Sequence, residues 1–161
     1  MGLIAAAFEE LFEREGWKYR KRNDRSYFFG FRGNNNRYDF WAFINAKGSV
    51  LSLYAILPLT APGDKKDKVA EYLHRANYDM MLGNFELDFR DGEIRFKVTT
   101  DYGDQKPDLD QLNRAIDCCL TMADRYIEGV GLIIFAGHTP EQAISMVEGG
   151  AVREERSSII Q

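Results

Sequence analysis

Residues 84–99, NFELDFRDGEIRFKVT, alternate apolar and polar positions with the two-residue period of a strand. Asp91-Gly92 at the centre suits a two-residue type I′ turn, which needs φ > 0 at both positions. The segment therefore predicts a β-hairpin. Its predicted pairs are Arg90 with Glu93, Phe89 with Ile94, Asp88 with Arg95, Leu87 with Phe96, Glu86 with Lys97 and Phe85 with Val98. Apolar meets apolar and each charge meets its opposite, the pairing that stabilises antiparallel sheets. One face is apolar and the other charge-matched, as in a half-buried antiparallel sheet.

The same period runs through residues 26–58. SYFFGFR leads to a turn at GNNN, RYDFWAFIN to a turn at Lys47-Gly48, and SVLSLYAIL to Pro58. A loop over 33–36 pairs Phe31 with Tyr38 and Phe29 with Phe40. A turn at Lys47-Gly48 pairs Ile44 with Leu51, Ala42 with Leu53 and Phe40 with Ala55. These registers place Tyr27, Phe29, Phe31, Phe40, Ile44, Leu51 and Leu53 on one face, the core face. The opposite face carries Phe28, Trp41, Phe43, Tyr54 and Ile56 beside Arg32, Arg37, Asp39 and Ser52. A solvated face is rarely so aromatic. An earlier strand is expected in the basic run 17–25, WKYRKRNDR, with a turn at Asn23-Asp24.

A helical period marks the remaining segments. Leu3, Ile4, Ala7, Phe8, Leu11 and Phe12 recur at three and four, predicting a helix over 3–15 stopped by Gly16. A second helix follows Pro62-Gly63, with Asp64 as N-cap and Val69, Leu73 and Ala76 as its stripe. A third is capped by Asp108, with a stripe of Leu112, Ala115 or Ile116, Cys119, Met122 or Ala123, and Tyr126. Over 130–136 helix and strand compete, because Gly129 and Gly131 weaken a helix while a strand has no obvious partner; a kinked continuation of the helix is favoured. Thr139-Pro140-Glu141-Gln142 is a capping box that opens a last helix to about Glu148. The expected order is α-β-β-β-α-β-β-α plus a terminal helix. That is an α+β fold with helices mainly on one face of an antiparallel sheet. The expected organisation is a single domain over 1–148 and a flexible tail over 149–161.

Composition narrows the class. With 161 residues, 45% hydrophobic and 29% charged, the chain can bury a core. A net charge of −4 argues against nucleic acid as a partner. The N-terminal stretch lacks a basic n-region, so no signal peptide is expected, and no segment is long enough to span a membrane. Adjacent Cys118 and Cys119 point about 100° apart on a helix, which favours reduced thiols in the cytoplasm over a disulfide.

Candidate chemistry is sparse. His74 and His138 lack ligand spacing, so no metal is expected. The acidic cluster Asp101, Asp104, Asp108 and Asp110 lacks the glycine and closing glutamate of a calcium loop. Gly129-Val130-Gly131 follows a helix rather than a strand, which fails the dinucleotide context, and no cofactor is expected. Trp17, Tyr19 and the cations Lys18, Arg20, Lys21, Arg22 and Arg25 interleave as single-strand nucleic-acid platforms do, but a charged edge strand is the favoured reading. No catalytic residue is assigned.

The run VAEYLHRANYDMMLGNFELDFRDGEIRFK over 69–97 resembles the YbjN family, described as bacterial sensory-transduction regulators. The residues concerned are Tyr72-Leu73, Asn77, the stretch 83–88 and the stretch 91–96; Met122-Ala123-Asp124-Arg125-Tyr126 fits the family's third helix. The resemblance implies a type III secretion chaperone-like fold over about residues 5–148 and structural roles for the motif residues. It carries no catalytic residues.

The expected function is a non-enzymatic protein-interaction module, chaperone-like or regulatory. Phe28, Trp41, Phe43, Tyr54 and Ile56 make a patch larger than soluble monomers usually expose. A partner peptide, a second subunit or the terminal helix must cover it, and a homodimer is the expected cover. The alternative is a small-ligand-binding protein or enzyme with a pocket between sheet and helices.

Overall fold

The computed structural model describes residues 1–149. Its elements, in chain order, are α1 (Leu3–Glu15), β1 (Arg20–Asn23), β2 (Ser26–Arg32), β3 (Arg37–Ile44), β4 (Val50–Thr60), α2 (Lys66–Asn77), β5 (Asn84–Leu87), β6 (Glu93–Asp101), α3 (Leu109–Ala136) and α4 (Pro140–Glu148). The expected α+β order stands, with short β1 as an additional edge strand ahead of the three-strand run. The strands form one antiparallel sheet in the order β1-β2-β3-β4-β6-β5. This is the expected α+β architecture, with helices against one face of an antiparallel sheet. Except for Gly149, the expected tail lies outside the described residues.

The helices lie on one side because the strands are apolar on one side. Tyr27, Phe29, Phe40, Leu51, Leu53 and Phe96 are all buried beneath them. Phe8 and Phe12 of α1 pack on β2, with ring centroids 4.4 Å from Tyr27 and 5.0 Å from Phe29. The meander registers are those expected, including Phe29 opposite Phe40 and Ala42 opposite Leu53.

The β5–β6 register differs from expectation by two residues. Phe85 faces Phe96, Glu86 faces Arg95 and Leu87 faces Ile94. Residues 88–92 connect the two strands, and of the expected turn pair Asp91-Gly92 only Gly92 has positive φ, at 79°. Asp91 stays outside the positive-φ region, and Asp88 makes the turn instead, its Oδ1 accepting from the Arg90 N–H at 2.9 Å. A two-residue slip preserves both faces, since side chains repeat every two residues. Phe89 is the exception: placed in the loop, it is exposed rather than paired with Ile94.

Two helix assignments are corrected or settled. The N-cap of α2 is Lys65, not Asp64, and no side chain caps it. Residues 130–136 are helical, within one α3 of 28 residues. The apparent weakness of its glycines is offset by packing: Gly129 meets Tyr72 of α2 where a Cβ would overlap the phenol ring. The Tyr72 hydroxyl donates to the Tyr126 carbonyl at 2.7 Å, tying α2 to α3. Asp108 and Thr139 cap α3 and α4 as expected.

Candidate functional site: the outer face of the sheet

Side chains of even-numbered β2 and β4 residues and odd-numbered β3 residues point away from all four helices. The register aligns Arg20, Phe28, Trp41, Tyr54 and Lys97 in one row from β1 to β6. Phe43 and Ile56 lie in the rows on either side. Phe28 and Trp41 have centroids 5.1 Å apart, Trp41 and Phe43 stack at 5.5 Å and 11°, and Phe43 meets Tyr54 edge-on at 5.9 Å. The four rings named from sequence thus form one contiguous ladder across three strands. Phe43 is 42% exposed, so the ladder opens to solvent at its centre.

The terminal helix does not cover this ladder. α4 packs against α2 and α3 in the helical layer, where Arg75 of α2 reaches Glu141 at 3.2 Å.

Cations frame the rings. The Arg22 guanidinium lies 5.6 Å from the Trp41 centroid, and the Arg95 guanidinium 4.1 Å from that of Tyr54. Arg95 and Lys97 share Glu86, at 2.8 and 3.0 Å. Burial pushes the Glu86 carboxyl up, but Lys97 and Arg95 outweigh it and hold it below its ordinary value. At the hairpin tip Arg90 clamps Asp88 at 2.8 Å and lowers its carboxyl to about 2.

Other candidates dissolve into structure. The aromatics of the basic run turn inward: Trp17 sits 4.8 Å from Phe31 and Tyr19 5.6 Å from Phe12. Its cations separate, Lys21 pairing with Glu9 at 3.0 Å while Arg20 and Arg22 face outward. Cys119 is buried and Cys118 partly so; burial pushes both thiols up, and Asp117 adds to this at Cys118. Asp101 accepts from Gly103, Asp108 caps α3 and Asp110 pairs with Arg14. His74 is exposed, and His138 keeps a buried Nδ1 without a hydrogen-bond partner. Among the described residues no three His, Cys, Asp or Glu side chains gather as metal ligands would. Nor is any described helix long and apolar enough to cross a membrane.

Asp124 escaped sequence reasoning as a site residue. It is buried on α3, and its carboxylate accepts from the Asn34 N–H (2.7 Å), the Asn35 N–H (3.3 Å) and the Tyr38 hydroxyl (2.9 Å). Burial and this carboxylate push the Tyr38 phenol up. The available signal was an acid inside an apolar helix stripe together with a GNNN turn whose amides need acceptors.

Known proteins place this geometry. A search among curated proteins finds no match. A chain in the crystal structure of the ExsC–ExsE complex is similar in fold, with a TM-score of 0.52 at 14% identity, covering 78% of this chain and 94% of that one. A family model named YbjN, "Putative bacterial sensory transduction regulator", matches residues 5–132. The motif residues have visible structural work: Tyr72 ties α2 to α3, Asn77 accepts from the Phe85 N–H at 2.6 Å and so pins β5 to α2, and Gly92 makes the loop. The chain belongs to the YbjN family.

Proposed function

We propose that this chain is a non-enzymatic, cytoplasmic protein-interaction module, chaperone-like or regulatory, which binds protein through the outer face of its sheet and self-associates. The observation that carries the reading is the ladder of Phe28, Trp41, Phe43 and Tyr54, contiguous and turned away from every described helix. Aromatic side chains concentrate binding energy at interfaces because they bury much area at little entropic cost. The similar fold in the ExsC–ExsE complex supports protein binding as the function class. No cofactor, metal or catalytic residue enters the reading.

Trp41→Ala combined with Phe43→Ser tests it. Truncating such anchors costs about 2 kcal/mol, roughly a 30-fold loss of affinity. Partner capture or self-association should fall accordingly while the circular dichroism spectrum stays that of the wild type. Unchanged association with unchanged folding would remove the reading, and complete unfolding would mean that the face belongs to the core.

One observation favours a small-ligand site instead. A polar cleft of about 540 Å³ lies beside the β2–β3 loop, lined by Arg32, Gly33, Asn34, Asp124, Arg125 and Glu128. Its buried carboxylate already accepts three hydrogen bonds from the chain itself, which leaves the rim charges to recognise a ligand.

A further inference from the structure

We infer that the occupant of the outer face is a short acidic segment of another protein, with two carboxylate residues about six positions apart and large apolar residues between them. This rests on the reading of that face as a docking surface. The central row puts three rings between two cations: Arg20, then Phe28, Trp41 and Tyr54, then Lys97. Four strand spacings separate the two ends, about 19 Å, which an extended chain of about six residues spans.

The charge on the β1–β3 side of the face is unmatched. No ion pair among the described residues engages Arg20, Arg22, Arg32 or Arg37, although the chain as a whole carries −4. All four are exposed, and the Arg37 guanidinium lies over Gly30, where a Cβ would approach it at 3.3 Å. On the other side Glu86 pairs with both Arg95 and Lys97, and Asp88 also attracts Arg95. The carboxylate of Asp39 sits within the face as well, opposite Gly30 and Ile56, and leaves the cations in excess.

Two other occupants fit less well. A second copy laid face to face would set the same excess of cations against itself. Single-stranded nucleic acid needs open ring faces for its bases, but Arg95 already covers Tyr54 and Trp41 and Phe43 stack on each other. The acidic remainder of the chain also repels a polyanion.

A phage-displayed library of random 12-residue peptides, selected on the intact chain, reads the preference directly. Selected peptides should carry paired Asp or Glu residues flanking Leu, Ile, Phe or Trp. A synthetic copy of the best peptide should bind about tenfold more weakly to Arg20→Glu/Arg37→Glu, and more weakly in 500 mM than in 50 mM NaCl, because exposed charges are screened. Arg20→Gln/Arg37→Gln, with an unchanged urea midpoint, should show an intermediate loss and separates recognition from folding. Selection without acidic enrichment, or binding indifferent to the arginines, would overturn the inference. So would binding of oligo(dT) of twelve nucleotides as tightly as the peptide. A dimer that Trp41→Ala dissociates, with no peptide selected, would also overturn it while leaving the docking surface standing. No enrichment, no dimer and no effect of Trp41→Ala would remove both.

Discussion

A single buried carboxylate sets the position of one whole loop. Asp124 meets two backbone amides and a phenol, and Gly33 beside it has no space for a Cβ. Asp124→Ala leaves three donors without an acceptor in a partly or fully buried place, which costs about 1–3 kcal/mol. A urea titration should show that loss, with Asp124→Asn losing less because its amide oxygen still accepts. Equal midpoints for wild type and Asp124→Ala would mean that water replaces the carboxylate. The two thiols behave differently from Asp124. Both are held in the protonated form, first by burial, and neither lies at a helix N-terminus where a thiolate would be favoured. Cys118→Ser with Cys119→Ala should leave association unchanged in oxidising and reducing buffers alike and cost only packing at Cys119. A redox-dependent change in association would instead establish a thiol switch.

The hairpin of β5 and β6 shows what a single element adds. Gly92 has a φ of 79°, and a Cβ there would overlap the Ala61 backbone, so Gly92→Val meets both strain and a clash. The strain alone costs on the order of 1–3 kcal/mol; a urea midpoint equal to wild type would contradict the loop assignment. Asp91→Val should be milder, since Asp91 does not take positive φ. Acid weakens this element for a second reason. Glu86 and Asp88 have carboxyls lowered in the folded chain from ordinary values of 4.5 and 3.8, Asp88 to about 2. Such groups stabilise fully above their unfolded values, and the contribution is lost as pH falls through the folded ones. Stability should therefore decline from about pH 4.5 towards pH 2, and Glu86→Gln should flatten the upper part of that decline; an identical pH profile for Glu86→Gln would contradict it. The elements were legible where their period was clean: α1, the meander and the capped starts of α3 and α4. Loop geometry was not, because Asp-Gly supports several turns and the choice fell to Asp88, whose side chain competes for the same amides. The helix over 130–136 was the favoured reading but period alone left strand open, because the helix's support, Tyr72 against Gly129, comes from 57 residues earlier in the chain. Face membership of Phe28, Trp41, Phe43, Tyr54 and Ile56 followed from alternation alone, whereas their framing by Arg20, Arg22 and Lys97 needed strand order, which period does not contain.

At the scale of the molecule, the sheet divides two kinds of aromatic cluster. Beneath it, Phe8, Phe12, Tyr27, Phe29 and Phe40 close the core against α1 and its neighbours. Above it, Phe28, Trp41, Phe43 and Tyr54 meet no helix among the described residues, and cations edge them. Burying the second cluster against another molecule removes apolar area from water without altering the first, so folding and binding are separable in this design. Hydroxyl-radical footprinting of the intact chain, once dilute and pure and once in a native cell extract, tests this most directly. Trp41, Phe43 and Tyr54 should be oxidised in the pure chain and protected in the extract, while Phe135 and Met146, exposed in the helical layer, react equally in both. Equal oxidation of Trp41 and Phe43 in the two conditions would contradict the assignment of the outer face as the surface through which this protein acts.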